Sequence, residues 1–128
     1  MNIYLLGFFV FLLVLVIVGF YFLYKKQVPK GEKKAEFLFF YTDWCPHCTS
    51  AKPEWAAFKK ETTTVNGYTI TYNDVNCTKE SATSESMMEK YKVEGFPTIK
   101  LVVNGKVYDF DSKPTKQNLT QFVNNTLH

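Results

Sequence analysis

Two cysteines separated by two residues, Cys45-Pro46-His47-Cys48, stand where a strand-like run gives way to a helix-like one. The run before them is Phe37-Leu38-Phe39-Phe40-Tyr41, then Thr42-Asp43-Trp44, and a helical pattern spans Thr49 to Glu61. Cysteines so spaced at a strand-to-helix junction read as a redox pair. The order puts Cys45 at a helix N-terminus, where backbone N–H groups and the positive dipole end stabilise a thiolate. Pro46 fits the first helical turn, because its missing N–H has no helical partner there. His47, when protonated, adds positive charge beside the sulfurs. These effects all act to bring the Cys45 thiol below the range of a free cysteine, and the thiolate is the species that attacks disulfides.

Two other uses of the pair are weaker. A structural zinc site takes about four ligands. Beyond the pair the chain offers only Cys77, His47 and His128, so no metal is expected. A purely structural disulfide across two residues closes too short a loop to remove much chain entropy. No dissociable cofactor is needed for thiol chemistry, since the thiols themselves carry the electrons.

Further landmarks follow in order. Pro53 lies five residues past Cys48; Gly95-Phe96-Pro97-Thr98 precedes an apolar run; Asn104-Gly105 reads as a hairpin turn; a last helical stretch ends the chain. From about Glu36 onward this series resembles the thioredoxin superfamily, most closely a single catalytic domain of protein disulfide isomerase. The resemblance implies an α/β fold and a cis proline at Pro97 lying against the cysteines. It also implies roles: Cys45 as nucleophile, Cys48 as the resolving thiol that closes a Cys45-Cys48 disulfide, and Trp44, Phe96 and Pro97 as contacts for the substrate chain. The Pro-His dipeptide is similar to that of bacterial periplasmic thiol oxidases, which implies oxidase or isomerase work rather than strong reduction.

The chain departs from that family in three places. The buried acid usual six residues before the first cysteine is Phe39 here. Asp74 falls where thioredoxins carry the lysine partner of that acid. It is therefore either a relocated proton carrier beneath Cys48 or a strand-end surface residue, and one register slip separates the two. No arginine is present, so the loop arginine of the isomerases is missing, with Lys113 or Lys116 as stand-ins. Cys77 is expected to be a buried, unreactive thiol.

Ile3 to Tyr24 is a charge-free run of 22 residues. As a helix it reaches about 33 Å, enough for a bilayer core of about 30 Å. It lacks the basic start, short apolar core and small-residue cleavage site of a signal peptide, so a retained anchor is expected. Lys25, Lys26, Lys30, Lys33 and Lys34 crowd the tether that follows; against Glu32 alone they outweigh the whole net charge of +3. With no basic stripe beyond them, nucleic acid is not an expected partner.

The side of the membrane is contested. The lysine cluster favours a cytoplasmic domain. The Asn-x-Thr sequons at Asn76, Asn118 and Asn124 favour the endoplasmic reticulum lumen, and so does the oxidising chemistry. A virion membrane assembled in the cytosol by a large DNA virus reconciles both, and the use of Lys without Arg fits an AT-rich genome.

The chain thus reads as an anchor at 3–24, a tether at 25–35 and a domain at 36–128. Within the domain the expected elements are strands 36–42, 68–76, 97–103 and 106–110 and helices 46–61, 84–91 and 115–127. These make a minimal thioredoxin-like fold: a four-stranded mixed sheet with helices on both faces, preceded by one transmembrane helix. The expected activity is that of a membrane-anchored thiol–disulfide oxidoreductase acting on protein cysteines and coupled to an upstream thiol oxidase or reductase. The alternative is a redox-silent binding or scaffold module.

Overall fold

The computed structural model describes residues 2–27 and 31–128, in two compact units, Met1–Glu32 and Lys33–His128. The first contains helix α1, Ile3–Gln27, whose apolar side chains from Ile3 to Tyr24 are exposed all round. By length and composition it can cross a membrane. The helix continues past the expected Tyr24 through the lysines, which are good helix formers. Residues 28–30 of the expected tether lie outside the described residues.

The second unit is built on one sheet. Its elements are β1 (Lys33–Tyr41), α2 (Pro46–Glu61), β2 (Thr64–Val65), β3 (Tyr68–Asn76), α3 (Ala82–Lys90), β4 (Thr98–Val103), β5 (Lys106–Phe110) and α4 (Lys116–Thr126). The strand order is β2-β3-β1-β4-β5, with β1 parallel to β3 and the other pairings antiparallel. The α/β fold with helices on both faces is as expected. The sheet has five strands rather than four, because the two-residue β2 folds back on β3 through Asn66-Gly67. Both turn residues there have positive φ, +49° and +84°, as do Asn104 and Gly105 between β4 and β5. That is the backbone a two-residue hairpin needs, and asparagine and glycine tolerate it best.

Strand β1 also starts at Lys33, inside what reads in sequence as tether. Lys33, Lys34 and Ala35 pair with Tyr68, Thr69 and Ile70; Ala35 is buried, and the Lys33 ammonium lies 5.2 Å from the Tyr68 ring centroid. Alternation along β1 then divides the core. Phe37 and Phe39 pack with Ala51, Trp55 and Phe58 of α2 and Leu119 and Val123 of α4. Leu38 and Phe40 pack on the other face with Val75, Tyr91 and the methionines of α3. The central strand is buried on both faces and therefore reads as one continuous apolar run. Helix α3 begins two residues before expectation, because Ser81 and Ser84 form a reciprocal cap.

Candidate active site

Helix α2 points its N-terminus out of the sheet just beyond β1, and Cys45 is its N-cap. The backbone at Cys45 is extended, and its sulfur accepts a hydrogen bond from the Cys48 N–H at 3.4 Å. Both cysteines are buried, Cys48 completely. The Cys45 thiol donates to the Phe96 carbonyl at 3.6 Å. The next peptide bond, Phe96-Pro97, is cis. Trp44, 69% exposed, meets Phe96 edge-on with ring centroids 6.4 Å apart. Trp44 and the Phe96-Pro97 pair thus lie beside Cys45.

The two sulfurs are electrostatically unlike. The Cys45 thiol is pulled below the ordinary cysteine value, first by the Cys48 thiol that donates to it, then by the backbone N–H groups of Cys48 and His47, against an opposing effect of burial. Burial pushes Cys48 up to about 11, and its hydrogen bond to Cys45 adds to this. Burial also raises Cys77, whose thiol lies 3.7 Å from the Val75 carbonyl. Alkylation by iodoacetamide followed across pH should therefore modify Cys45 first, with a midpoint below that of a free cysteine, while Cys77 reacts above the free-cysteine midpoint and Cys48 resists until strongly alkaline pH. A Cys45 midpoint at the free-cysteine value, or modification of Cys48 first, contradicts this ordering.

His47 contributes its backbone N–H to Cys45, while its exposed side chain lines a cavity of about 270 Å³ with Ser50, Ala51, Glu54, Lys113, Pro114 and Thr115. Of the two lysines considered as stand-ins for a loop arginine, Lys113 reaches this cavity. The Lys116 ammonium pairs with Glu61 instead, and its N–H donates to Glu54 at 2.7 Å.

Asp74 corrects the sequence reading. It sits beside Phe39 on the α2 face of the sheet, as the relocated-acid idea requires. Its carboxylate is nevertheless exposed rather than buried beneath Cys48. One oxygen accepts from the Trp55 indole N–H at 2.7 Å, and the other pairs with Lys59 at 2.7 Å. Trp55 is 2% exposed, so Asp74 satisfies a buried indole from outside. The acid is register-correct but faces an ammonium at the rim, because large aromatic rings fill the interior there.

Sequence reasoning passed over Lys52 and Asp43, which the structure brings together beside the cysteine helix at 3.1 Å. The available signal was spacing, since Lys52 follows Cys48 by one helical turn.

The comparisons with known proteins agree with this geometry. The family described as Thioredoxin matches residues 20–125. The chain belongs to the thioredoxin family. Among curated relatives, this thioredoxin-family chain is 30% identical over 88 residues to protein disulfide isomerase-like 1-4 of Oryza sativa subsp. japonica, covering 69% of the chain and 15% of that protein. It is 33% identical over 92 residues to protein disulfide-isomerase A4 of Mus musculus, covering 70% of the chain and 13% of that protein. It therefore spans only a small part of these relatives. The solution structure of the first thioredoxin domain of mouse protein disulfide-isomerase A4 superposes with a TM-score of 0.61 at 23% identity, covering 80% of this chain and 69% of that one. That likeness supports the fold.

Proposed function

We propose that the chain is a membrane-anchored thiol–disulfide oxidoreductase of the disulfide isomerase or oxidase type, acting on protein cysteines through Cys45 and Cys48. The observation that carries this is the asymmetry of the pair. An activated sulfur caps a helix at an approachable edge, and its buried partner keeps its proton. In the reducing direction the Cys45 thiolate attacks one sulfur of a client disulfide and displaces the other as a thiolate. Cys48 then gives up its proton and attacks the Cys45 sulfur of the mixed disulfide. The Cys45–client bond breaks, the Cys45–Cys48 bond forms, and the client sulfur leaves with the electron pair and takes up a proton. Oxidation of clients is the same path reversed. Trp44, Phe96 and Pro97 position the client chain, and α1 with its lysines holds the domain at a membrane surface. The relatives named as disulfide isomerases support the reaction class. The upstream partner is a thiol oxidase or reductase suited to the compartment.

The test is capture. In Cys48→Ala the resolving thiol is gone, so mixed disulfides between Cys45 and clients should accumulate as reducible, high-mass adducts. Adducts no more abundant than in the Cys45→Ala, Cys48→Ala double variant would overturn the reading. The identities of captured clients would also fix the compartment.

A further inference from the structure

On α2, Lys52 follows Cys48 by four residues, which places both side chains on one face of the helix. Its ammonium is held at two points, 3.1 Å from an Asp43 carboxylate oxygen and 4.4 Å from the Tyr41 ring centroid. Asp43 is itself fixed. Its second oxygen accepts from the Asn76 amide at 3.4 Å, and its N–H donates to the Thr78 hydroxyl at 2.7 Å. The residue between Tyr41 and Asp43 is Thr42, whose backbone amide favours the Cys48 thiolate. The outer two of these three consecutive residues hold the ammonium, and the middle one acts on the thiol.

We propose that Lys52, clamped by Asp43 and Tyr41, is an electrostatic positioning residue for Cys48, favouring the thiolate through which that thiol must pass. The inference rests on the oxidoreductase reading above. In both directions of exchange Cys48 exists transiently as an anion, either as attacker of the mixed disulfide or as the group expelled when a client thiolate opens the Cys45–Cys48 bond. Its burial opposes that charge. Among the described residues, the groups that act on its charge are Cys45, Lys52 and the Thr42 backbone amide. From α2 come Cys45 and Lys52. From the β1–α2 segment comes Asp43, bonded to Lys52. Phe96, whose carbonyl accepts from Cys45, is uncharged, and the Asp74 carboxylate of β3 is turned to Trp55 and Lys59 instead. Once Cys45 is tied up in a mixed disulfide it no longer accepts from Cys48 or repels its charge. Lys52 and the Thr42 N–H, which both favour the anion, remain.

The experiment uses the full chain, reduced, in detergent micelles, with dithiobis(nitrobenzoate) as the probe. Attack by Cys45 releases one coloured thiolate at a rate that rises with probe concentration. Attack by Cys48 on the mixed disulfide releases the second at a rate that does not. In Lys52→Met the apparent pKa of the second step should rise by about one unit. Near neutral pH that is about tenfold less thiolate, offset by about threefold greater nucleophilicity, so the second release slows about threefold and recovers at high pH. The first release should stay within about twofold, and Lys52→Arg should restore the profile. Lys52→Gln, a polar change at a side chain 41% exposed, guards against misfolding of the Met variant. A profile unmoved in both variants, or a second release slowed equally at every pH, overturns the inference. A first release from the unaltered chain no faster than that of a free cysteine overturns the oxidoreductase reading itself, and the inference with it.

Discussion

Replacing Cys45 by serine should reduce disulfide exchange with a protein client by about a hundredfold or more, to the level of an unassisted thiol. Serine is nearly isosteric, so the helix cap survives and the buried position stays filled. What disappears is the only sulfur both activated and approachable. Cys48 cannot take over. It is fully buried, and burial, the largest cause of its raised pKa, persists in the variant. Cys77 is half-buried rather than buried as expected; it is also raised by burial and packs against the core cluster on the α3 face. The measurement is the rate of client oxidation or isomerisation, with binding of the same client followed in parallel. A scaffold module would show unchanged client handling in Cys45→Ser, and that result would remove the case for an enzyme.

Much of this architecture is legible in the sequence because its signals are local. The cysteine pair, the helix behind it, Pro97 and the Asn104-Gly105 hairpin each declare themselves within a few residues. Strand β2 is not read from the sequence, because its two residues before Asn66-Gly67 carry too little apolar pattern to register as a strand. Lys33 to Ala35 were hidden for a different reason. Two of the three are charged, and only pairing with Tyr68 to Ile70 across the sheet makes them strand. Asp74 shows the limit of register arguments. Its backbone position beside Phe39 was correct, yet the choice between interior and rim was made by Trp55 and Lys59, residues distant in sequence. The Lys52–Asp43 pair was invisible for the same reason, since it closes only when the loop before Cys45 folds over the second turn of α2.

Phe37→Ala should destabilise the folded domain by about 3–5 kcal/mol, the usual range for removing a fully buried aromatic ring. Phe37 has no exposed surface and stands at the centre of an aromatic cluster. Its ring lies 4.9 Å from Trp55, 5.7 Å from Phe58, 6.0 Å from Phe122 and 6.2 Å from Tyr72, centroid to centroid. Those partners come from α2, α4 and β3, so no single element can move to fill the space, and the cavity cost is retained. Against a typical total of about 5–15 kcal/mol, the loss is a large share. At about 4–8 °C per kcal/mol for a domain of this size, the midpoint of thermal unfolding should fall by roughly 12–40 °C. Val107→Ala, at a side chain 41% exposed on β5, should change stability by no more than about 0.5 kcal/mol and serves as the control. Both are read by thermal unfolding of the reduced chain in one detergent. Below its new midpoint, Phe37→Ala should keep the Cys45 alkylation profile of the parent. The ring supports α2 at Trp55 and Phe58, two turns or more beyond the N-cap, whereas the activating donors are Cys48 and His47 within the first turn. A lost alkylation profile in still-folded Phe37→Ala would mean that the thiolate depends on packing of the helix body and not on its first turn.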